Sequence, residues 1–268
     1  MLIHASALLF ASITVASKPA AILDTLLDVG SYHLHLVVYR GTKPVTIVLE
    51  SGGGATLDGW SGVDTALARR TGATVVAYDR AGFGRSETGP ADLTPQEQVR
   101  QLDDALVRLG TPPARIVVGH SYGGVMAVLQ AHLDPVKVRG LVLVDPMNAR
   151  FVAATGDFVY STVPRIEHPA TRRDSALVRM VAGFDALIHD PVASDSGLHV
   201  PMVVLTAGEL WWGKPGIDRA WRAAHEAMVR EAPDRRLVIV EGSKHQIPER
   251  RPDAIVSAVV SLMSRHAP

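Results

Sequence analysis

Ser121 lies in Gly119-His120-Ser121-Tyr122-Gly123, between the apolar run Ile116–Val118 and the small-residue stretch Gly124–Leu133. A G-x-S-x-G set between a strand and a helix demands a sharp turn that lifts the serine Oγ clear of the backbone at the carboxyl edge of a sheet. The flanking glycines are needed because side chains there would collide with the neighbouring strand and helix. The helix starts directly after the serine, so its free N–H groups and the positive end of its dipole face any oxyanion that forms beside the hydroxyl. This context makes Ser121 a candidate nucleophile rather than part of a plain glycine turn.

The rest of the chain supplies a sheet for that turn. Tyr32–Tyr39 alternates as a half-buried strand, and Thr46–Glu50, Thr74–Tyr78, Gly140–Val144, Met202–Thr206 and Arg236–Val240 are apolar or β-branched runs. Helical patterns lie between them. Trp60, Val63, Ala66 and Leu67 end at Gly72. Thr94-Pro95-Gln96-Glu97 is a full helix start ahead of Val99, Leu102, Leu106 and Leu109, and further apolar faces hold Trp221, Ala224 and Met228, then Ile255, Val259 and Leu262. Strands alternating with helices predict an α/β fold with a mainly parallel sheet covered on both faces. With 268 residues, 47% of them hydrophobic, the chain suits one large core.

The alternation breaks between Asp145 and Val200. Thr171-Arg172-Arg173-Asp174 is a second capping-box pattern, followed by Leu177, Met180, Val181, Phe184 and Leu187 at helical spacing and a stop at Asp190-Pro191. Residues 147–199 are expected to form a small helical cap, inserted after the strand that ends at Asp145 and lying over the edge that carries Ser121. The main domain is expected over residues 28–268, and residues 1–27 form a separate apolar segment. Within that segment Ala5–Ala16 has the length of a signal-peptide core but no Lys or Arg ahead of it. A leader and an arm packed on the domain both remain open, and with them export or a cytoplasmic location. No segment is long enough to span a membrane.

Charge narrows the partners. Lys+Arg and Asp+Glu both number 27, and no basic block occurs, so a nucleic-acid face is not expected. A small, mostly uncharged substrate fits such a chain. Cysteine is absent, which excludes disulfides, thiolate metal sites and a cysteine nucleophile.

A serine needs a base, and the base needs an orienting group. His245 is the candidate base: it follows strand Arg236–Val240 in a loop that a parallel sheet places on the same edge as Ser121. For the acid, Asp145 and Glu209 each follow a core strand and precede the histidine. Asp145 is preferred because it is shorter and sits directly at a strand end before Pro146, and Glu209 stays the alternative. Oxyanion donors are expected from the backbone: the Tyr122 N–H after the nucleophile, and Gly53 in Ser51–Gly54, with Gly54 as the alternative. His120, adjacent to Ser121, points away from it and is read as packing. His33 and His35 are read as the solvated face of an edge strand rather than as metal ligands. Asp79–Ser86 holds Gly82-Phe83-Gly84, but it lacks the third glycine and the helix start of a nucleotide fingerprint and is read as a turn braced by Asp79 and Arg80. Trp211-Trp212 is placed to line a pocket or pack in the core.

Leu49–Gly54, Tyr78–Ser86, Gly119–Gly124, Leu141–Pro146 and Gly242–Pro248 occur in the order seen in the α/β-hydrolase fold superfamily, and the chain resembles its serine-hydrolase branch from about Asp28 onward. The resemblance implies an eight-stranded sheet and an esterase-like triad, without metal or cofactor. Two departures stand out: the usual His-Gly of the oxyanion loop is Ser51-Gly52, and the usual acid position shortly after Glu209 is Trp211. The second favours Asp145, since some branches carry the acid after the earlier strand. A serine at position 121, where relatives of other chemistry have Asp, argues against epoxide or haloalkane hydrolysis. The expected activity is hydrolysis of a small, largely apolar carboxylic ester. Lactone, thioester, amide or C–C bond cleavage by the same residues, or ligand binding with little turnover, are the rivals.

Overall fold

A computed structural model describes residues 22–156, 158–162 and 166–265. Its centre is an eight-stranded sheet: β1 (Ile22–Asp28), β2 (His33–Tyr39), β3 (Thr46–Glu50), β4 (Thr74–Asp79), β5 (Arg115–His120), β6 (Val138–Val144), β7 (Met202–Ala207) and β8 (Arg235–Val240), in spatial order β1-β2-β4-β3-β5-β6-β7-β8. β3 to β8 run parallel, and β1 and β2 add an antiparallel edge. Every residue of β3, β4, β5 and β7 is buried, as expected of parallel strands covered on both faces.

Period-two alternation divides the core. Val48, Val76 and Tyr78 face α2 (Pro95–Arg108) and α3 (Tyr122–Leu133), where they meet Leu102, Leu106 and Val128. Ile47, Leu49, Val75 and Ala77 face the other way, against Val63 and Leu67 of α1 (Val63–Thr71) and Ile255 and Val259 of α9 (Pro252–Arg265). Both capping boxes form. Thr94 and Glu97 exchange side chain-to-backbone bonds at the start of α2, and Thr171 and Asp174 do so at the start of α6 (Arg172–Ile188).

Between β6 and β7 the chain forms α4 (Ala149–Thr155), α5 (Phe158–Ser161) and α6. After β7 come α7 (Pro215–Arg230), then β8, then the short α8 (Ile247–Arg250) ahead of α9.

Two expectations change at the antiparallel edge. Ile22–Asp28 is a strand of the sheet, so the sheet begins before residue 28, inside the segment read as separate. β2 is consequently not an edge strand. His33 remains exposed and bonds Glu87, but His35 is buried, with Nδ1 2.7 Å from Asp79 Oδ2 and Nε2 3.0 Å from Asp24 Oδ1 on β1. Ala5–Ala16 lies outside the described residues. Among those described, no helix is long and apolar enough to cross a membrane.

Candidate active site

β5 delivers Ser121 to the carboxyl edge of the sheet through a tight elbow with φ 52° and ψ −119°. The turn requires its glycines: a Cβ on Gly119 would run into the Gly123 carbonyl, and one on Gly123 into the Glu50 carbonyl. Ser121 and Asp145 (φ 42°) are the only non-glycine residues with positive φ among those described. Both follow neighbouring strands, and backbone strain of this kind persists only where the surroundings over-determine it.

Asp145 is fully buried after β6. Its Oδ1 accepts from the Ala207 N–H and from Trp221 Nε1–H, each at 3.0 Å, which leaves Oδ2 2.8 Å from His245 Nδ1. Burial would push this carboxyl up. The hydrogen bond from His245, the electrostatic pull of His225 and His245, and the Ala207 N–H together outweigh it and hold the pKa below the usual carboxylate value. With Nδ1 donating to Asp145, the imidazole is left with Nε2 as its accepting nitrogen.

Two further side chains fix His245, and a third secures the turn after Asp145. Its ring stacks on Trp211 at 4.1 Å between centroids. Its carbonyl accepts from His120 Nε2 at 2.9 Å. His120 is buried, and burial, followed by repulsion from His245, lowers its pKa to about 3, so it stays a neutral donor. His225, also buried, donates Nε2–H to the Pro146 carbonyl and accepts the Thr206 hydroxyl at Nδ1, which secures the turn after Asp145. Ser121 and His245 line the same cavity, and no hydrogen bond joins Ser121 Oγ to the imidazole among the described residues. Such contacts often tighten only when substrate arrives.

Glu209, the alternative acid, is exposed. Its N–H bonds the Ser243 carbonyl, and its carboxylate makes no bond to His245. Gly53 lines the cavity beside Tyr122, and neither N–H has a backbone partner among the described residues. Gly54 lines neither of the two spaces beside Ser121; a Cβ on it would meet Leu177, and its carbonyl accepts from Arg173.

The cavity holds about 430 Å³ and is lined mainly by apolar side chains, including Met147, Leu177, Met180, Phe184, Trp211 and Trp212. A second space of about 160 Å³ shares Gly53, Ser121 and His245 with it and extends past Ser51 and Trp60 to Gln246 and Glu249. No cluster of three or more His, Asp or Glu suited to a metal occurs among the described residues. Trp211 and Trp212 both line the cavity and pack in the aromatic cluster with Phe151 and Trp221. The sequence reading missed Trp221, His225 and the bond made by His120. The partners of Trp221 and His120 lie 76 and 125 residues away, beyond any local pattern.

The alpha/beta hydrolase family model matches residues 47–258, most of the chain. The chain belongs to the alpha/beta hydrolase family. This hydrolase is 27% identical to the uncharacterized protein YqjL of Bacillus subtilis over 225 residues, covering 83% of this chain and 85% of that one. It is 33% identical to lipase LipV of Mycobacterium tuberculosis over 139 residues, 52% of this chain and 51% of the lipase. Its fold is similar to a solved thermophilic esterase of Thermogutta terrifontis, with TM-score 0.64, 20% identity, and coverage of 92% of this chain and 99% of that one.

Proposed function

We propose that this hydrolase cleaves carboxylic esters of small or medium apolar acids through an acyl-enzyme on Ser121. The observation that carries the reading is the 2.8 Å contact between His245 Nδ1 and Asp145 Oδ2, with that imidazole and Ser121 lining one apolar cavity. In the first half-reaction Ser121 Oγ attacks the ester carbonyl as His245 Nε2 takes its proton. Asp145 stays ionised, keeps the tautomer and stabilises the imidazolium. The Gly53 and Tyr122 N–H groups hold the oxyanion, the imidazolium protonates the departing alkoxide, and the alcohol leaves. Water then attacks the acyl-enzyme with His245 again as base, and the acid leaves with Ser121 restored.

The cavity favours the acyl portion of an uncharged ester. Among the described residues that line it, only His245 and the phenol groups of Tyr122 and Tyr160 are titratable. The relatives named as a lipase and an esterase support the same bond type.

Intact mass after treatment with an alkyl fluorophosphonate tests the nucleophile. A single adduct on the wild type, absent from Ser121→Ala, is expected. An unlabelled, folded wild type, or equal labelling of the variant, would overturn the reading.

A further inference from the structure

We propose that Arg80 is a positioning residue for the oxyanion donor at Gly53, acting through the Gly52–Gly53 peptide. This rests on the reading of Ser121 as nucleophile and Gly53 as donor. The Gly52 carbonyl and the Gly53 N–H are opposite ends of one planar, trans peptide unit, so whatever fixes the oxygen also aims the N–H. The Arg80 guanidinium fixes it. Nη2 donates to the Gly52 carbonyl, and Nη1 donates to the preceding carbonyl, Ser51, at 2.7 Å. One rigid fork therefore spans two consecutive peptides of the loop that carries the candidate donor. A cation at a carbonyl oxygen also draws density out of the amide and makes its N–H a stronger donor.

The guanidinium is itself held fast. It is buried, Nη1 lies 3.5 Å from Glu50 Oε2, and its carbon sits 5.1 Å from the centre of the Tyr122 ring. Glu50 is anchored in turn by the Tyr78 hydroxyl at 2.7 Å and by Gln130 Nε2. Asp79, one residue before Arg80, accepts from the Leu57 N–H and the Arg85 N–H, each at 2.9 Å, and so fixes the turn from which the arginine reaches. The braced turn read in Asp79–Ser86 thus ends beneath the oxyanion loop. Ser51 and Gly52 supply the two carbonyls that Arg80 holds. A Cβ at position 52 would approach His120 Nδ1 to 3.1 Å, so that ring would have to give by a few tenths of an ångström to admit one.

The test uses the full-length protein, Arg80→Gln and Arg80→Lys, an activated short-chain ester, a trifluoromethyl ketone of the same chain and the matching secondary alcohol. The ketone adds Ser121 and develops an oxyanion, whereas the alcohol fills the cavity without one. For Arg80→Gln, kcat is expected to fall about 10- to 100-fold, less than the loss of a direct donor, with KM within about twofold. Ketone affinity should weaken by the same factor while alcohol affinity holds. Lysine keeps the charge but cannot fork both carbonyls, so Arg80→Lys should fall between. If Arg80→Gln does not fold, Arg80→Lys carries the same ketone-to-alcohol comparison. Folded variants with kcat within twofold of wild type, an equal loss of alcohol binding, or failure of both to fold would overturn the proposal in favour of a plain structural bracket. Failure of the underlying reading looks different: the wild type itself would neither turn over ester nor bind the ketone covalently.

Discussion

Ser121 and Asp145 are held from below by backbone, whereas Leu177 and Met180 line the cavity beside Ser121 from a helix fastened by side chains to the loops after β3 and β4. The Ser121 N–H bonds the Val144 carbonyl at 3.1 Å and the Asp145 N–H bonds the Leu205 carbonyl at 2.7 Å, which carries the strand ladder right up to the proposed catalytic groups. α6 is tied down by Arg172 to the Gly84 and Ser86 carbonyls, by Arg173 to Gly54 and by Arg179 to Gly89. A floor set by strand register cannot shift one residue without shifting the sheet. A roof held by long side chains can be reshaped at single positions. On this division the floor sets whether chemistry occurs and the roof sets on what.

The largest effects are therefore expected in the floor. Ser121→Ala and His245→Ala should each lower kcat by about 10⁴-fold or more with the fold retained, because nucleophile and base act as one unit. Asp145→Ala should cost about 10³- to 10⁴-fold, through loss of the tautomer and of the imidazolium's partner. Glu209→Ala should stay within twofold of wild type. Steady-state kinetics alongside thermal melts decide the matter, and an inactive, folded Glu209→Ala would reverse the choice of acid.

Roof changes should alter selectivity and spare the chemistry. Leu177→Ala and Met180→Ala enlarge the cavity from half-buried positions, so little stability is at stake. The ratio of kcat/KM for a hexanoate ester over an acetate ester should rise about 10- to 100-fold, the usual worth of a few methylenes in an apolar pocket. Labelling by a small fluorophosphonate should change less than threefold. An unchanged chain-length profile would mean that the acyl group lies elsewhere, and the 160 Å³ space past Trp60 would be the next place to probe.

The same division explains what the sequence disclosed. Floor and helix starts were legible because their causes are local: a glycine on each side of Ser121, a hydroxyl three residues before Glu97, another three before Asp174. β1 was not legible. Its ILDTLLD has no buried face and leaves Ile22 63% exposed, so no alternation marks it, and His35 was misplaced with it. Asp145 and His245 could be nominated as strand ends, but only tertiary geometry puts Oδ2 against Nδ1 and leaves Glu209 in solvent. Arg80 carried no local sign of its reach, since the carbonyls it holds stand on the loop after β3, 28 and 29 residues away.

A modest effect on rate is expected at His120, which hydrogen-bonds the His245 carbonyl and packs its ring 4.7 Å from the His245 ring without bonding the imidazole nitrogens. Its folded pKa of about 3 lies below the ordinary value of 6.5, so between those values the unfolded chain binds the additional proton. The neutral ring's contribution to stability is complete above pH 6.5 and is lost progressively as the pH falls toward 3. His120→Gln keeps an N–H donor in place of Nε2 but cannot titrate, so it should remove this part of the slope. From pH 6.5 to pH 5 the wild type should lose about 2 kcal/mol more unfolding free energy than the variant, with denaturant midpoints as the readout. At pH 7 the variant's kcat should stay within about fivefold of wild type. Equal slopes in the two proteins would mean that His120 takes up its proton over the same pH range folded as unfolded, and a loss of several decades in kcat would move it from backbone anchor to a direct part in the reaction.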